Sequence, residues 1–444
     1  MNKEFHKKQN FFSFSDIDSE RKDRIMKFTS TEATPAPHVP PGVLRLTGAA
    51  KEDIPMYRIQ TMNKISPVGL NRFPSELYEV GDAVQDPQGI LVRSAKLLDL
   101  EFNPGLLAIA RAGVGVNNIP LDRCAAAGIP VFSTPGANAN AVKELVICAM
   151  LMGSRDIPGA IRWVREQAAS GVDVSTVVEK GKSAFIGPEL YKKTLGIIGL
   201  GAIGSIVANT AISLGMDVYG YDPFLSVDTA LRLDRHVHVV KDINDLYKRS
   251  DYITMHIHYT EKTARMIDAS AIAAMKRGVR VINLARGEIV DDEAMLTALD
   301  TGMVAAYITD FPNNRLLTAP HVIAMPHLGA STPESEQNCA AMAVDTLRDY
   351  LESGNIRSSV NLPEMTMDRS GVQRLCVLHK NVPGMLANIT SLFGRDGVNV
   401  ENLSNKSRGD YAYTIVDLGS KVGDNVIEDV RRTANVIRVR SLEW

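Results

Sequence analysis

Cysteine is scarce in this chain. Its 444 residues hold four, Cys124, Cys148, Cys339 and Cys376, and none forms a C-x-x-C pair. That excludes a disulfide framework and leaves no zinc-type spacing, so no metal site is expected and a reduced, cytoplasmic setting is. Long apolar runs are also missing. The most apolar stretch, 145–152, soon meets Arg155 and Asp156, well short of the roughly 20 residues that span a bilayer. It reads as a buried core helix, and no membrane partner is expected. Net charge of one sign is absent too: 49 basic side chains stand against 51 acidic ones. No global electrostatic pull towards nucleic acid follows, although local basic sites remain open to small anions. What is present is a globular composition, 45% hydrophobic and 23% charged, over a length that suggests two to four structural units.

Residues 1–55 differ from the rest. They are polar and mixed in charge, with Phe11, Phe12 and Phe14 interrupted by serines and followed by acids, and with Pro35, Pro37, Pro40 and Pro41 near the end. This reads as a disordered extension, neither signal nor transit peptide. Translation starting at Met56 is one reading; a regulatory or targeting arm is the other. From 57 to 131, short apolar runs such as Ile90-Leu91-Val92 and Leu106 to Ala110 alternate with loops and a helix over 120–127. Runs of this kind predict buried parallel strands and an α/β class. A helix over 141–153 follows, then a second series with strands at 194–198, 217–221, 252–257, 279–283 and 305–309. A helix over 333–352 has Thr332 to cap it, Pro333 in its first turn and Gly354 to end it. Beyond 363 the pattern changes to strand 374–379, helix 385–395, strand 411–418, helix 425–433 and strand 436–442, which resembles a ferredoxin-like unit.

Gly199-Leu200-Gly201-Ala202-Ile203-Gly204 matches G-x-G-x-x-G, follows an apolar strand and opens an apolar helix. The first glycine allows a tight turn, the second lets backbone approach a pyrophosphate, and the third lets helix and strand pack closely. The helix N-terminus adds free N–H groups and partial positive charge. Asp222 ends the next strand, where a carboxylate accepts hydrogen bonds from the adenine ribose and repels a 2′-phosphate. NAD is therefore the expected cofactor. Arg286, in Asn283-Leu284-Ala285-Arg286-Gly287, lies at a strand's carboxyl end, where a guanidinium could clamp a carboxylate and polarise a carbonyl. His327, in Met325-Pro326-His327-Leu328-Gly329, follows another apolar run and suits a base for a hydroxyl proton. Taken singly, a surface arginine and a satisfied histidine are the commoner fates of such residues.

Together, and in this order and spacing, these motifs resemble the D-2-hydroxyacid dehydrogenases over roughly 57–363. Arg111-Ala112-Gly113-Val114-Gly115-Val116-Asn117-Asn118 and the stretch 138–145 resemble the phosphoglycerate dehydrogenase branch. The resemblance implies a Rossmann-type NAD domain (141–328) inserted in a flavodoxin-like substrate domain (56–140 and 329–363). It implies catalytic roles for Arg286 and His327. NAD contacts are implied at Gly199, Gly201, Ala202, Ile203, Gly204, Asp222, Ala285, Asp310, His327 and Gly329, with Asp310 on the nicotinamide carboxamide. Backbone N–H groups at Gly113, Val114 and Gly115 would hold the substrate carboxylate. Arg93 and Ser94, with Lys64 nearby, match positions used for a substrate phosphate. The implied reaction is NAD-dependent oxidation of D-3-phosphoglycerate, which opens L-serine biosynthesis.

Two departures stand out. The family usually carries a glutamate beside the catalytic histidine, and here the closest match is Asn314. An amide orients imidazole but does not stabilise imidazolium as a carboxylate does. His256-Ile257-His258 has histidine where the family often has proline, read as a change at the cofactor edge. At the C-terminus, Leu378-His379-Lys380-Asn381-Val382-Pro383-Gly384-Met385-Leu386 and Gly397-Val398-Asn399-Val400 resemble an ACT domain (370–444). That resemblance implies pairing into homodimers or homotetramers and an amino-acid effector, L-serine, gripped by His379, Asn381 and Asn399. A glyoxylate/hydroxypyruvate reductase and a non-catalytic NAD-sensing regulator on the same fold are the alternatives.

Overall fold

Three sheets organise the residues described by the computed structural model, 56–444; the predicted extension 1–55 lies outside them. The first sheet holds β1 (Tyr57–Met62), β2 (Tyr78–Gly81), β3 (Gly89–Val92), β4 (Ala108–Arg111) and β5 (Val131–Phe132). All its pairings are parallel, in the order β2-β1-β3-β4-β5. This is the flavodoxin-like order, whose switch point lies between β1 and β3. β3 is buried at every position, which is why it reads as an unbroken apolar run.

The second sheet holds β6 (Thr194–Ile198), β7 (Asp217–Tyr221), β8 (Val237–Val240), β9 (Tyr252–Met255), β10 (Val279–Asn283), β11 (Val304–Thr309) and β12 (Val322–Ala324). Its order, β12-β11-β10-β9-β6-β7-β8, is Rossmann-type with the switch point between β6 and β9. The third sheet is antiparallel: β13 (Gln373–Lys380), β14 (Val400–Arg408), β15 (Tyr411–Leu418) and β16 (Val436–Glu443), ordered β14-β15-β13-β16. With helices Met385–Arg395 and Asp424–Arg432 on one face it has the ferredoxin-like order predicted. β14 was missing from the sequence-based strands, because VENLSNKSR is a polar edge strand with little burial.

Two helices frame the cleft. Ala139–Arg155 packs against the second sheet, close enough at Gly153 that a Cβ would lie 2.8 Å from Ile308 Cδ1. Pro333–Ser353 begins as expected, with Thr332 accepting from Ser335 N, and ends at Gly354 with φ of 74°. It packs on the first sheet, with Leu347 fully buried against Gly89 and Ile59. Its buried face belongs to a core that also takes Cys376, Leu378, Tyr413, Ile415 and Leu442 from the third sheet. The third sheet is therefore fused to the first layer through its helix-free face. Helices Ile157–Ala169 and Val174–Gly181 bury no residue, and Ile161 is 51% exposed. No helix among the described residues is long and apolar enough to cross a membrane.

Candidate active site

The glycine loop turns at the switch point of the second sheet. Gly199 has φ of 92°, and a Cβ on it would strike the His256 carbonyl at 2.5 Å. Only glycine serves there. A Cβ on Gly204 would meet Gly199 O at 1.9 Å, whereas one on Gly201 would meet nothing within 4 Å. The first and third glycines are thus demanded by the protein itself, and the second leaves its backbone open to a ligand. Ala202 and Ile203 begin the helix Ala202–Ser213, whose first N–H groups face that opening. Asp222 accepts from Leu200 N at 2.9 Å and Phe224 N at 2.8 Å, so its carboxylate steadies the loop it faces. His256 hydrogen-bonds Thr254, and burial pushes its imidazole down to about 4, which keeps it neutral beside the loop.

Across the cleft, the loops after β1, β3, β4 and β5 come together. Asn63, after β1, accepts from Ser94 N at 3.0 Å and Ala95 N at 2.7 Å. This ties Ser94 to the switch point and sets Lys64, which is exposed, next to it. Arg93 O accepts from Arg111 Nε at 3.0 Å. Arg111 Nη1 lies 2.7 Å from the place a Gly113 Cβ would take, and Arg286 Nη2 lies 3.4 Å from that of Gly115. Two guanidiniums, those of Arg111 and Arg286, therefore flank the turn Gly113-Val114-Gly115, and Arg93 is tied to them through its backbone carbonyl. Arg93 is paired with Glu336, while Arg111 and Arg286 form no salt bridge among the described residues. Burial pushes Arg111 below the usual arginine range, and repulsion from Arg286 and Arg93 adds to it. Arg111 was quoted within a motif but not singled out from sequence; its signal was a charged residue ending a strand otherwise buried.

Arg286 is held by its own turn. Asn283 Nδ2 donates to Arg286 O at 2.8 Å, Asn283 Oδ1 accepts from Ala285 N at 3.2 Å, and Arg286 Nη1 donates to Ala285 O at 2.6 Å. Asn283 is fully buried and acts as a positioning residue. His327 is exposed, its ring 4.6 Å from that of Phe311, and Arg286 reaches the same Phe311 ring at 5.8 Å. Asp310 sits beneath: Oδ2 accepts a long 3.4 Å bond from Gly329 N, and Oδ1 is buried without a partner. Burial pushes the Asp310 carboxyl above its ordinary range, against the pull of the His327 and Arg286 charges. An orphaned buried oxygen there suits a carboxamide donor supplied by a cofactor. Asn314 is exposed and makes no hydrogen bond to His327. The carboxylate placed to interact with that histidine is Asp310.

The two lobes meet at short range, a Gly136 Cβ falling 3.2 Å from Ala202 Cβ. Glycine loop, Arg286, His327 and the Gly113 turn thus converge on one cleft. The three effector candidates do not converge within one chain. His379 is 2% exposed and satisfied, with Nδ1 bound to Lys380 O and Nε2 to Thr414 Oγ1. Within one chain it is a buried, hydrogen-bonded residue. Asn381 binds Gly409 O near the start of β15, and Asn399 binds Glu401 beyond the far end of that strand. Eight strand residues separate those ends, roughly 25 Å at about 3.3 Å each.

Residues 147–329 match the D-isomer specific 2-hydroxyacid dehydrogenase, NAD binding domain. A D-3-phosphoglycerate dehydrogenase of Synechocystis is 36% identical over 326 residues, covering 71% of this chain and 56% of that protein. The chain thus spans little more than half the length of that relative. The Escherichia coli D-3-phosphoglycerate dehydrogenase is 33% identical over 350 residues, covering 76% of this chain and 82% of the relative. Among solved structures, an NAD+-bound 3-phosphoglycerate dehydrogenase of Entamoeba histolytica is similar with a TM-score of 0.54 and 26% identity, covering 69% of this chain and 99% of that one. Cleft geometry and similarity agree, and the chain belongs to the D-isomer specific 2-hydroxyacid dehydrogenase family, with that family's NAD-binding domain.

Proposed function

We propose that this protein oxidises D-3-phosphoglycerate to 3-phosphohydroxypyruvate with NAD, as the first step of L-serine biosynthesis. The observation that carries the reading is the meeting of Arg111 and Arg286 at the Gly113-Val114-Gly115 turn, with Arg93 at the end of the neighbouring strand tied to Arg111 through its carbonyl. A phosphorylated 2-hydroxy acid brings anionic groups at both ends, and two anion subsites are what it requires. Arg286 and the turn's N–H groups would hold the carboxylate and polarise the C2 oxygen. Arg93, Ser94 and Lys64 would hold the phosphate, with Arg111 between. His327 would take the hydroxyl proton, steadied by Phe311 and within the field of Asp310. Bound NAD would accept the hydride from C2. Gly201 and the N-terminus of Ala202–Ser213 would hold its pyrophosphate, Asp222 its ribose and Asp310 its carboxamide.

The domain division that goes with this reading is 56–140 with 329–363 for substrate, 141–328 for NAD, and 370–444 as an ACT domain. The ferredoxin-like order of the third sheet supports the last. A two-fold pairing along the edge strand β14 would reverse strand direction and set the Asn381 end of one copy beside the Asn399 end of the other. An L-serine site would then exist only between copies. A homodimer is further supported by the open groove of about 670 Å³ beside Ile157–Ala169, lined by Ile161, Trp163, Val164, Val178 and Phe185. A cytoplasmic setting accompanies the metabolic role.

Steady-state turnover tests the reading, with 3-phosphoglycerate and phosphohydroxypyruvate against glyoxylate, hydroxypyruvate and lactate, each with and without L-serine, on the wild type and Arg93→Ala. The phosphorylated pair should be preferred, and Arg93→Ala should raise KM for that pair by about tenfold or more, a charge-assisted contact being worth about 1.5–3 kcal/mol. Preference for an unphosphorylated acid would make the protein a reductase of the glyoxylate/hydroxypyruvate type.

A further inference from the structure

The arginines at the phosphate end of the cleft are not electrically bare. Arg93 follows β3, and its Nη2 meets Glu336 Oε1 at 2.5 Å. Glu336 lies in the first turn of Pro333–Ser353, where the helix N-terminus favours an acid whether or not arginine is present. Both side chains keep over two-fifths of their surface exposed, 43% and 44%. An exposed pair of this kind is weak and exchanges readily. Among the described residues the guanidiniums of Arg111 and Arg286 hydrogen-bond backbone carbonyls and form no salt bridge. Among the described residues Glu336 is the carboxylate that pairs with one of these three arginines, and it sits on the one assigned above to the phosphate.

We propose that Glu336 is an internal counter-ion of the substrate cleft, which occupies Arg93 against small monoanions until a phosphate dianion displaces it. The inference rests on the phosphorylated-substrate reading given above. A dianion with several acceptor oxygens outcompetes a single carboxylate for a guanidinium fork. A neutral hydroxymethyl or a lone carboxylate gains nothing by the exchange. Glu336 thus keeps Arg93 from gathering small monoanions in the free enzyme, at the expense of some affinity for the phosphorylated acid.

The test is a double-mutant cycle in the full chain with Glu336→Gln, Arg93→Ala and both together. The kcat/KM for phosphohydroxypyruvate is measured against that for hydroxypyruvate, with acetate and sulfate as competing anions. Glutamine keeps the size of the side chain at an exposed position, and a melting curve checks the fold. In Glu336→Gln the phosphorylated-to-unphosphorylated ratio should rise about two- to fivefold through a lower KM, the range an exposed ion pair can supply. Acetate should inhibit the variant more strongly than the wild type, and the Glu336→Gln effect should vanish in the Arg93→Ala background. An unchanged or lowered ratio, with the phosphorylated pair still preferred and Arg93→Ala still harmful, overturns the role of Glu336 and leaves the enzyme's assignment intact. Loss of preference for the phosphorylated pair in the wild type itself overturns both.

Discussion

A histidine's role is decided by what surrounds its two ring nitrogens, and this chain offers both outcomes. His327 is exposed in the cleft, and neither nitrogen has a hydrogen-bond partner among the described residues. His379 is buried, and both of its nitrogens are occupied. Replacing His379 by alanine would leave Lys380 O and the fully buried Thr414 hydroxyl short of a partner. We expect a loss of about 1–3 kcal/mol in stability, read as a lower melting temperature by calorimetry. An unchanged melting temperature would show the ring to be free after all. The sequence could not separate these two histidines, since each follows an apolar run. Gly199, Gly201 and Gly204 were legible for the opposite reason: their demands arise within one strand–turn–helix unit. Arg111 was not singled out, because its value comes from Gly113, Arg93 and Arg286 meeting across loops.

Elements were legible where burial writes a pattern. Pro333–Ser353 carries a capping threonine, a first-turn proline and a terminal glycine, and its ends fall within one residue of the reading. Asp292–Asp300 is similarly capped, Asp291 accepting from both Glu293 N and Ala294 N. Ile157–Ala169, Val174–Gly181 and β14 left no such trace. The two helices bury nothing within the chain, and the strand is polar at a sheet edge. Exposed apolar side chains on two adjacent helices need a cover, and a second copy is the cover proposed here. Ile161→Asp should therefore turn a dimer into a monomer by light scattering, with little change in circular dichroism. A variant that stays dimeric at micromolar concentration would move the interface elsewhere on the molecule.

At the scale of the whole molecule, the third sheet is built into the lobe of the first sheet and does not hang from a linker. Arg374 and Asp417 are both fully buried, joined at 2.6 and 2.7 Å, and Arg374 also donates to Ser353 O, Met367 O and Asp368 O. Arg440 donates to Tyr350 O and Leu351 O, and Tyr413 to Gly354 O. Two arginines and a tyrosine hydroxyl thus cap the C-terminus of Pro333–Ser353, where carbonyls lack helical partners and the helix dipole is negative. The N-terminus of the same helix follows the His327 loop and bears Glu336. An effector at the third sheet would thus act on the cleft through one rigid element, provided it binds the two states of that element differently. Asp417→Asn tests the fusion. It leaves a buried guanidinium short of its charge partner, a loss of about 3–5 kcal/mol. If sheet and lobe form one cooperative unit, hydrogen exchange should speed up together in β13 and in Pro333–Ser353. Faster exchange confined to the third sheet would show that it opens independently, and the path from effector to cleft would then have to run between copies of the chain.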